Sequence, residues 1–382
     1  MSEEQVVVVG AGPAGLSSAL ALKDRGVRPL VLDRAEEVGS SWRVRYDRLR
    51  LNTNRAFSHL PGRRYPKGTA MFPSRDDLVR HLERHAREDG IEWRLGTRVE
   101  RIERDDGRWL VQASAGAVHT RQVVVATGYE NEPVIPDWPG RESFEGPLLH
   151  SSDYRNPEPF AGRDVLVVGP GCSGMEIAFD LAEGGAARVW LSVRTPPNIT
   201  LREGPGGLPG DVIAVALMRL PIRLADRIER FGRRMDLGDL SDYGLPVPEE
   251  GTFARLDRLG IVPSIVDPEV IEAIKARRIE IVREVEALDR GGARLADGER
   301  VEPDAIVAAT GYRRGLEPLV GHLDVLGERG MPLELAPRPA AAGLRFLGYT
   351  ARPGALGYTA RQAKRAAWAI ARELRANGGG PR

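Results

Sequence analysis

Apolar positions along this chain form two similar series. Residues 5–9 and 164–168 are short apolar runs typical of buried strands, and each precedes a glycine-rich turn and an apolar pattern of helical period. Both turns have the form G-x-G-x-x-G, which allows a tight bend, close packing of helix on strand, and approach of backbone N–H groups to a pyrophosphate. The pattern predicts two dinucleotide-binding units, with the glycines Gly10, Gly12, Gly15, Gly169, Gly171 and Gly174.

The remaining segments indicate how the two units share the chain. Short strands between 92 and 113 are interpreted as a small β-meander, and the letters A-T-G-Y occur at 126–129 and again at 309–312. A proline-rich stretch at 132–160 predicts a linker. The predicted fold class is α/β, with two Rossmann-like dinucleotide-binding domains, the second inserted into the first. The predicted ranges are 1–155 and 301–382 for the first domain and 156–300 for the second, with a helical insertion near 205–240.

A charged residue at the end of each unit's second strand indicates the nucleotide. Asp33 follows the strand at 29–32, where a carboxylate accepts hydrogen bonds from a ribose 2′-hydroxyl, as in the ADP half of FAD. Arg194 follows the strand at 188–193, where a guanidinium binds a 2′-phosphate. We therefore expect a dinucleotide with a free ribose 2′-hydroxyl in the first domain, which is consistent with FAD, and NADPH in preference to NADH in the second. The alternative in each case is a solvated charge at a strand end.

Charge, apolar runs and cysteine content exclude several classes of function. The formal net charge is +1, so nothing indicates a nucleic-acid partner. No apolar run approaches 18 residues and no signal-peptide pattern begins the chain, so we expect a cytoplasmic protein without membrane contact. Cys172 is the only cysteine, which excludes an internal disulfide and a C-x-x-C redox pair. The sequence contains no metal-spaced His/Cys cluster and no hydrolytic triad, and a cofactor would then carry the chemistry.

Two further motifs accompany the glycine turns. One is the segment Val-Gly-Ser-Ser-Trp at 38–42, and the other is F-x-G-x-x-x-H-x-x-x-Y, formed by Phe144, Gly146, His150 and Tyr154. With the turns, they resemble the flavin-containing monooxygenases, nearest to the short YUCCA-like and bacterial forms. A structural linker is the alternative interpretation of 144–154. The resemblance implies contacts to FAD from Arg34, Trp42, the backbone around Val99, Thr127, Gly128 and Gln362, and to NADPH from Ser173.

The resemblance also implies a reaction. NADPH would reduce FAD, O₂ would form a C4a-hydroperoxyflavin, and the protein would keep this adduct dry until a small substrate arrives. Asn52 is the predicted catalytic residue, because it matches an asparagine that lies beside flavin C4a in many relatives and an amide donates without changing charge. YUCCA proteins tend to carry histidine there. The alternative is a turn-forming asparagine in a loop.

The sequence favours some substrate classes but does not identify the substrate. Tyr154-Arg155 stands where typical Baeyer–Villiger enzymes carry Trp and then Pro or Asp, which favours N- or S-oxygenation, or oxidative decarboxylation of a 2-oxo acid, over ketone oxygenation. The other alternative is an NADPH oxidase or reductase that oxygenates nothing. The amphipathic stretch 211–234 is expected to cover a substrate entrance with its apolar face inward, or else to contact a membrane surface. The resemblance is compatible with a homodimer.

Overall fold

The structure, a computed structural model, describes residues 2–378. The outermost residues of the first predicted domain, 1 and 379–382, lie outside the described residues. A seven-stranded sheet contains β1 (Ser2–Val9), β2 (Pro29–Leu32), β3 (Glu92–Arg94), β4 (Val99–Asp105), β5 (Arg108–Ala113), β6 (Val118–Val125) and β19 (Leu344–Phe346). The strand order is β3-β2-β1-β6-β5-β4, and β19 also pairs with β6.

The centre of this sheet is the predicted apolar run. In β1, Val8 lies beside Val31 of β2 and Val124 of β6, and both pairings are parallel. Strands whose two faces are both shielded from water are typically rich in valine, as β1 is. The segment at 92–95 was expected in a meander, but β3 pairs in parallel with β2 and forms the sheet edge. Within this sheet, β4, β5 and β6 form the antiparallel meander.

Helices cover both faces of the first sheet. On one face, Leu16 and Leu20 pack with Leu82, Ala363 and buried valines. The helices there are α1 (Pro13–Lys23), α2 (Ser40–Arg43), α3 (Arg75–Glu88) and α10 (Ala355–Gly378). The opposite face contacts α9 (Glu317–Val320) and the loops around it. The last helix was predicted from about residue 359, and it begins earlier, at Ala355, directly after Gly354 in the left-handed region.

A second sheet of five parallel strands follows. Its strands are β8 (Leu148–His150), β9 (Asp164–Val168), β10 (Arg188–Val193), β13 (Glu280–Arg283) and β17 (Ala305–Ala308), in the order β13-β10-β9-β17-β8. The sheet therefore extends beyond both ends of the range 156–300 predicted for the second domain. We propose that the domain boundaries lie before Leu148 and after Ala308.

The second sheet is covered differently on its two faces. Helices α4 (Cys172–Glu183) and α8 (Pro268–Lys275) pack on one face through Met175 and Val270. An antiparallel meander packs on the other, formed by β14 (Val285–Asp289), β15 (Gly292–Leu295) and β16 (Arg300–Val301). The two connections between the domains also pair with each other, as β7 (Glu132–Pro133) and β18 (Tyr312–Arg313).

Three helices flanked by two short strands lie between residues 199 and 266. They are β11 (Ile199–Leu201), α5 (Gly210–Leu217), α6 (Ile222–Leu237), α7 (Thr252–Leu259) and β12 (Ser264–Val266). The prediction that the apolar residues of 211–234 all point inward is wrong for α6, where Leu224 and Ile228 are exposed. Asp226 of α6 accepts the N–H of Phe253 at 2.7 Å, and this contact turns the opposite side of the helix toward α7.

No helix between residues 2 and 378 combines the length and apolar content of a membrane crossing.

A buried histidine makes stability depend on pH. His81 of α3 is 3% exposed and stacks on the ring of Tyr65, with centroids 4.3 Å apart. Burial, and next the neighbouring His85, lower the pKa of His81 to about 4. The unfolded imidazole titrates near pH 6.5, so below that pH the unfolded chain binds a proton that the folded chain does not.

We therefore expect the free energy of unfolding to fall between pH 6.5 and 4, by up to about 1.4 kcal/mol per pH unit from this residue. Denaturant unfolding of His81→Phe, which keeps an aromatic ring beside Tyr65, should show a shallower pH dependence. His322→Gln changes an exposed histidine and is the control. Equal pH dependence in all three proteins would contradict the assignment.

Candidate functional site

The first glycine turn leaves backbone donors free beside an open space. Gly10 has φ of +112°, and a Cβ on Gly15 would meet the Gly10 oxygen at 1.7 Å, so helix and turn pack too closely for any side chain. At Gly12 a Cβ would meet no atom within 4 Å. Gly12 is the N-cap of α1, and no side chain caps the helix. The free N–H groups and the positive end of the helix dipole therefore suit a pyrophosphate.

Asp33 lies against this turn. Its carboxylate accepts the N–H of Ala11 at 2.5 Å and that of Ala35 at 2.8 Å. Each oxygen keeps a further lone pair, so the carboxylate can still accept from ribose hydroxyls. Arg34 is exposed and donates to the side chain of Asn131 at 2.9 Å, in the loop after the first A-T-G-Y signal.

The first glycine turn, the start of α1 and Asp33 together form a surface that we call the first cradle. Two of the other predicted FAD contacts lie near it. Trp42 of α2 is half-buried against the apolar cluster beneath α1. Val99 begins β4, just after Thr97, whose N–H donates to the Asp33 carbonyl at 2.7 Å. The backbone around Val99 is thus held beside the strand end that carries the predicted ribose ligand.

The C-terminal end of β6 and the start of α10 complete the first cradle. Thr127 shares a 2.8 Å hydrogen bond with the hydroxyl of Tyr349, and Gly128 has φ of +83° with open space where a Cβ would lie. Gln362 of α10 donates to the Tyr358 hydroxyl at 2.5 Å, while its buried Oε1 has no partner. An orphaned buried acceptor of this kind suits a ligand N–H. A small cavity lined by Gly348, Thr350, Tyr358, Thr359 and Gln362 lies there.

The second glycine turn repeats the first closely. Gly169 has φ of +109°, and a Cβ on Gly174 would meet the Gly169 oxygen at 1.8 Å. Gly171 is the N-cap of α4 without a side-chain cap, and a Cβ there would meet no atom within 4 Å. Ser173 lies in the first turn of that helix and is half-buried. The two helix starts therefore offer the same kind of site for a diphosphate.

Cys172 has a structural environment. Its sulfur accepts the N–H of Ile265 at 3.3 Å and donates to the carbonyl of Pro263 at 3.5 Å. Burial raises the pKa of the thiol to about 11, so it stays protonated. The cysteine thus anchors the second turn to the segment around β12.

Arg194 directly follows β10, and its guanidinium is exposed. The side chain is 82% exposed, and its nearest carboxylate, Glu284, lies 4.0 Å away. The turn glycine Gly169 donates to the carbonyl of Ser192 at 3.0 Å, which brings the end of β10 beside the second turn. An exposed guanidinium next to a diphosphate site suits a 2′-phosphate.

We expect Arg194→Gln to lower the preference for NADPH over NADH. Loss of charged hydrogen bonds to the 2′-phosphate should reduce kcat/KM for NADPH about 10- to 100-fold and leave that for NADH nearly unchanged. Arg188 begins the same strand, where it pairs with Glu280, and Arg188→Gln is the matched control. An unchanged ratio of the two kcat/KM values would show that Arg194 does not contact the phosphate.

Asn52 lies where the two domains meet, and an arginine determines its orientation. Arg202, which follows β11, donates from Nη1 to the Asn52 Oδ1 at 2.9 Å and to the carbonyls of Arg50 and Leu51, both at 2.9 Å. A guanidinium has only donors, so the amide oxygen must face it and the amide NH₂ must point away. Arg202 therefore leaves Asn52 with a free pair of donors.

The charge of Arg202 is neutralised by two carboxylates, of which Glu176 is buried and Asp267 is half-buried. Its side chain is 1% exposed and contacts Glu176 of α4 and Asp267, the latter at 2.9 Å. The hydroxyl of Tyr46 donates to the second oxygen of Glu176. Burial raises the pKa of Glu176, against the opposing effect of Arg202. This cluster connects the second glycine-turn helix to the segment that carries Asn52.

A second contact anchors the same segment. Asp211, the second residue of α5, accepts both the backbone N–H of Asn54 at 2.9 Å and its side-chain Nδ2 at 2.8 Å. Asp211 is 4% exposed, and burial raises the pKa of its carboxyl. The helical insertion is thereby fixed on the segment 52–54.

Sequence reasoning missed Arg202, Glu176 and Asp211. Arg202 and Glu176 are brought together only by the tertiary fold, since they lie on different elements. The one available signal was an arginine directly after a strand pattern in a chain otherwise rich in surface arginines, and such a signal has little specificity.

The motif at 144–154 holds the second domain together. Tyr154 is buried and donates to Asp180 of α4 at 2.8 Å. The Nε2 of His150 shares a 3.0 Å hydrogen bond with the carbonyl of Gly311, and burial lowers the histidine's pKa. A Cβ on Gly146 would meet the Asp304 oxygen at 2.5 Å. These contacts agree with the structural-linker alternative for this motif.

Within residues 2–378, no cluster of three or more His, Cys, Asp or Glu side chains is placed to bind a metal ion.

Comparison with known sequences establishes the family. Residues 7–201 match the family described as pyridine nucleotide-disulphide oxidoreductase. The indole-3-pyruvate monooxygenase YUCCA1 of Oryza sativa subsp. japonica is 39% identical over 312 residues, which are 80% of this chain and 76% of that relative. The probable indole-3-pyruvate monooxygenase YUCCA4 of Arabidopsis thaliana is 33% identical over 91% of this chain and 85% of its own. This chain belongs to the flavin-containing monooxygenase family.

Solved structures share the fold. A flavin-containing monooxygenase from Stenotrophomonas maltophilia has a TM-score of 0.70 and 24% identity, covering 99% of this chain and 100% of its own. A bacillithiol disulfide reductase from Bacillus cereus also has a TM-score of 0.70, with 18% identity over 97% of this chain and 100% of its own. Disulfide exchange requires a reactive thiolate, whereas burial keeps Cys172, the one cysteine of this chain, protonated.

Family membership confirms the predicted enzyme class and cofactors. The protein is a flavin-containing monooxygenase that uses FAD and NADPH to oxygenate a substrate. The predicted α/β class with two Rossmann-like units is confirmed as well. The residues present fit both groups, because each uncapped glycine-turn helix faces an open space and the orphaned Gln362 oxygen lies in the first cradle.

Proposed function

We propose that this monooxygenase converts a 2-oxo acid that carries an apolar side group into the carboxylic acid shorter by one carbon. The overall reaction is RCOCOO⁻ + NADPH + H⁺ + O₂ → RCOO⁻ + CO₂ + NADP⁺ + H₂O. The bond between the carboxyl and carbonyl carbons breaks, one oxygen atom enters the product carboxylate, and the other leaves as water. The observation that carries this proposal is the 39% identity to an indole-3-pyruvate monooxygenase over 80% of the chain.

We assign the residues around the first turn to FAD. Backbone N–H groups at the Gly12 turn would bind its pyrophosphate, and Asp33 would bind its ribose. The other proposed FAD contacts are Gly10, Gly15, Arg34, Trp42, Val99, Thr127, Gly128 and Gln362. When bound and reduced by NADPH, FAD supplies the activation of O₂.

We assign the second turn to NADPH. The N–H groups of the α4 start at Gly171 would bind its diphosphate, Arg194 its 2′-phosphate, and Ser173 the phosphate or nicotinamide side. Gly169 and Gly174 permit the close turn. The free N–H groups support this assignment because α4 has no side-chain cap.

Asn52 would act as a hydrogen-bond donor to the oxygen species that reacts with the substrate. The support for this role is the contact of its Oδ1 with Arg202, which leaves both Nδ2 hydrogens available. A neutral amide donates without gaining or losing a proton, so its function should not change with pH near neutrality.

A second candidate function is N- or S-oxygenation of a small soft nucleophile. Asn52 favours it, because the resemblance places histidine at this position in YUCCA proteins. The two functions differ in whether CO₂ is released.

The experiment is a substrate panel with purified enzyme and NADPH. Indole-3-pyruvate and phenylpyruvate are compared with an aromatic amine and a thioether, while O₂ uptake, H₂O₂ and products are measured. The proposal predicts release of CO₂ and the shortened acid with little peroxide. A product gaining one oxygen only from the amine or thioether would establish the second candidate instead.

A further inference from the structure

We propose that Arg352 is the binding site for the carboxylate of the substrate, and that the apolar residues around it hold the substrate's side group. This inference rests on the proposed function and specifies its substrate class as an organic anion with an aromatic or aliphatic body. Arg352 lies in the loop between β19 and α10, three residues before the helix begins.

The guanidinium of Arg352 is half-buried without a counter-charge. Its Nε is buried and has no hydrogen-bond partner, and its Nη2 lies 3.7 Å from the sulfur of Met218. Among residues 2–378, no carboxylate lies within ion-pair distance of it. Several other buried or half-buried arginines do contact an acid, among them Arg45, Arg63, Arg75, Arg202 and Arg345. A positive charge held in this way favours an anionic ligand.

A ring holds the guanidinium in place. The Arg352 guanidinium carbon lies 4.2 Å from the centre of the Tyr358 ring, a cation–π distance. Tyr358 is in turn bound by Gln362 of α10. The planar group is thus held before a ligand arrives, which lowers the entropy cost of binding.

The segment that follows Arg352 lies against apolar side chains. The Gly354 position lies within van der Waals reach of Val215 and Phe57, as shown by the space around a Cβ placed there. Phe57 also accepts the N–H of Gly357 at 2.6 Å through its carbonyl. One charge among apolar groups is the pattern of a pocket for an amphipathic acid.

This site is continuous with the segment of the proposed catalytic residue. Asn52 and Phe57 belong to the same loop, which Asp211 of α5 holds through Asn54. Val215 lies on the same helix as Asp211, and Met218 directly follows it. A carboxylate bound at Arg352 would therefore place the rest of the molecule along the loop that carries Asn52.

The experiment measures binding to the oxidised holoenzyme by calorimetry, without NADPH, so that no turnover is needed. The probes are indole-3-propionate, which has a carboxylate, and indole-3-propionamide, which has the same shape without charge. The wild type should bind the acid about 10- to 100-fold more tightly than the amide. Equal affinity for the two probes would overturn the proposal.

Substitutions of Arg352 test whether this residue causes the preference for the acid. Arg352→Gln should remove the preference for the acid, and Arg352→Lys should keep part of it. Arg361→Gln is the matched control, since Arg361 is exposed and lies 5.9 Å from the same ring of Tyr358. FAD content and NADP⁺ affinity should stay unchanged in all three variants. A preference that survives in Arg352→Gln, or loss of FAD or NADP⁺ binding as the cause, would also overturn it.

The failure of the two proposals is distinguishable. If the wild type prefers the acid through Arg352 but releases no CO₂ from 2-oxo acids, the binding site stands and the reaction assigned above is wrong. If CO₂ is released and Arg352→Gln changes neither the binding preference nor KM, the reaction stands and Arg352 is not the carboxylate site.

Discussion

Gly12→Glu is expected to yield a folded protein without FAD. Gly12 has an extended backbone, with φ of −78°, and its Cβ would meet no protein atom, so the fold accepts a side chain there. A glutamate would occupy the proposed pyrophosphate space and repel its charge. We expect FAD affinity to fall at least about a hundredfold, through lost charged hydrogen bonds. Flavin absorbance of the purified protein and its circular dichroism would measure the two effects.

The second turn provides the matched experiment. Gly171 has nearly the same backbone, with φ of −71°, and also has open space at its Cβ. Gly171→Glu should keep the yellow FAD but slow anaerobic reduction by NADPH at least about a hundredfold. Gly232→Glu adds the same charge at an open position on α6 and is the control. Loss of FAD from Gly171→Glu, or retention by Gly12→Glu, would show that the two sites are assigned wrongly.

Removing the charge of Arg202 is expected to destabilise the protein strongly. Arg202→Met leaves Glu176 buried without its counter-charge, whereas the half-buried Asp267 keeps its ion pair with Arg50, and we expect a loss of about 3–5 kcal/mol in the free energy of unfolding. Adding Glu176→Gln should recover part of this loss, because the buried carboxylate that has lost its partner is then replaced by a neutral amide. Denaturant unfolding measures both.

A control variant and a functional measurement distinguish the effect of the Arg202 charge on stability from its effect on the position of Asn52. Arg84 pairs with Glu88 on an exposed helix face, so Arg84→Gln should cost less than about 1 kcal/mol. Arg202→Lys keeps the charge but not the fork that holds Asn52, so it should raise the share of NADPH consumed as H₂O₂. A lysine variant with unchanged stability and unchanged peroxide would contradict the positioning role.

The fold was predictable where local chemistry and topology agree. The two glycine turns follow valine-rich strands, and only close helix–strand packing requires glycine at positions such as Gly15 and Gly174. Both features are short sequence patterns that can be recognised without knowledge of the tertiary fold. The place of β3 was mispredicted because a three-residue strand carries no information about its partner, and β2 pairs with it across a long excursion.

The site was predictable only in part, for a related reason. Asp33 and Arg194 follow strands at a known place in a βαβ unit, so their position could be deduced. The roles assigned to Arg202 and Arg352 depend on their neighbours, because Arg202 contacts two acids and Arg352 contacts none among the described residues. Burial and counter-charge arise from the tertiary fold and leave no spacing pattern in the sequence.

The reaction proposed for this enzyme inserts one oxygen atom of O₂ into a 2-oxo acid. Turnover of indole-3-pyruvate with NADPH under ¹⁸O₂, followed by mass spectrometry of the acid product, tests this reaction directly. We expect one ¹⁸O atom in the new carboxylate and one CO₂ for each NADPH consumed. An unlabelled acid, or consumption of NADPH matched fully by H₂O₂, would contradict it.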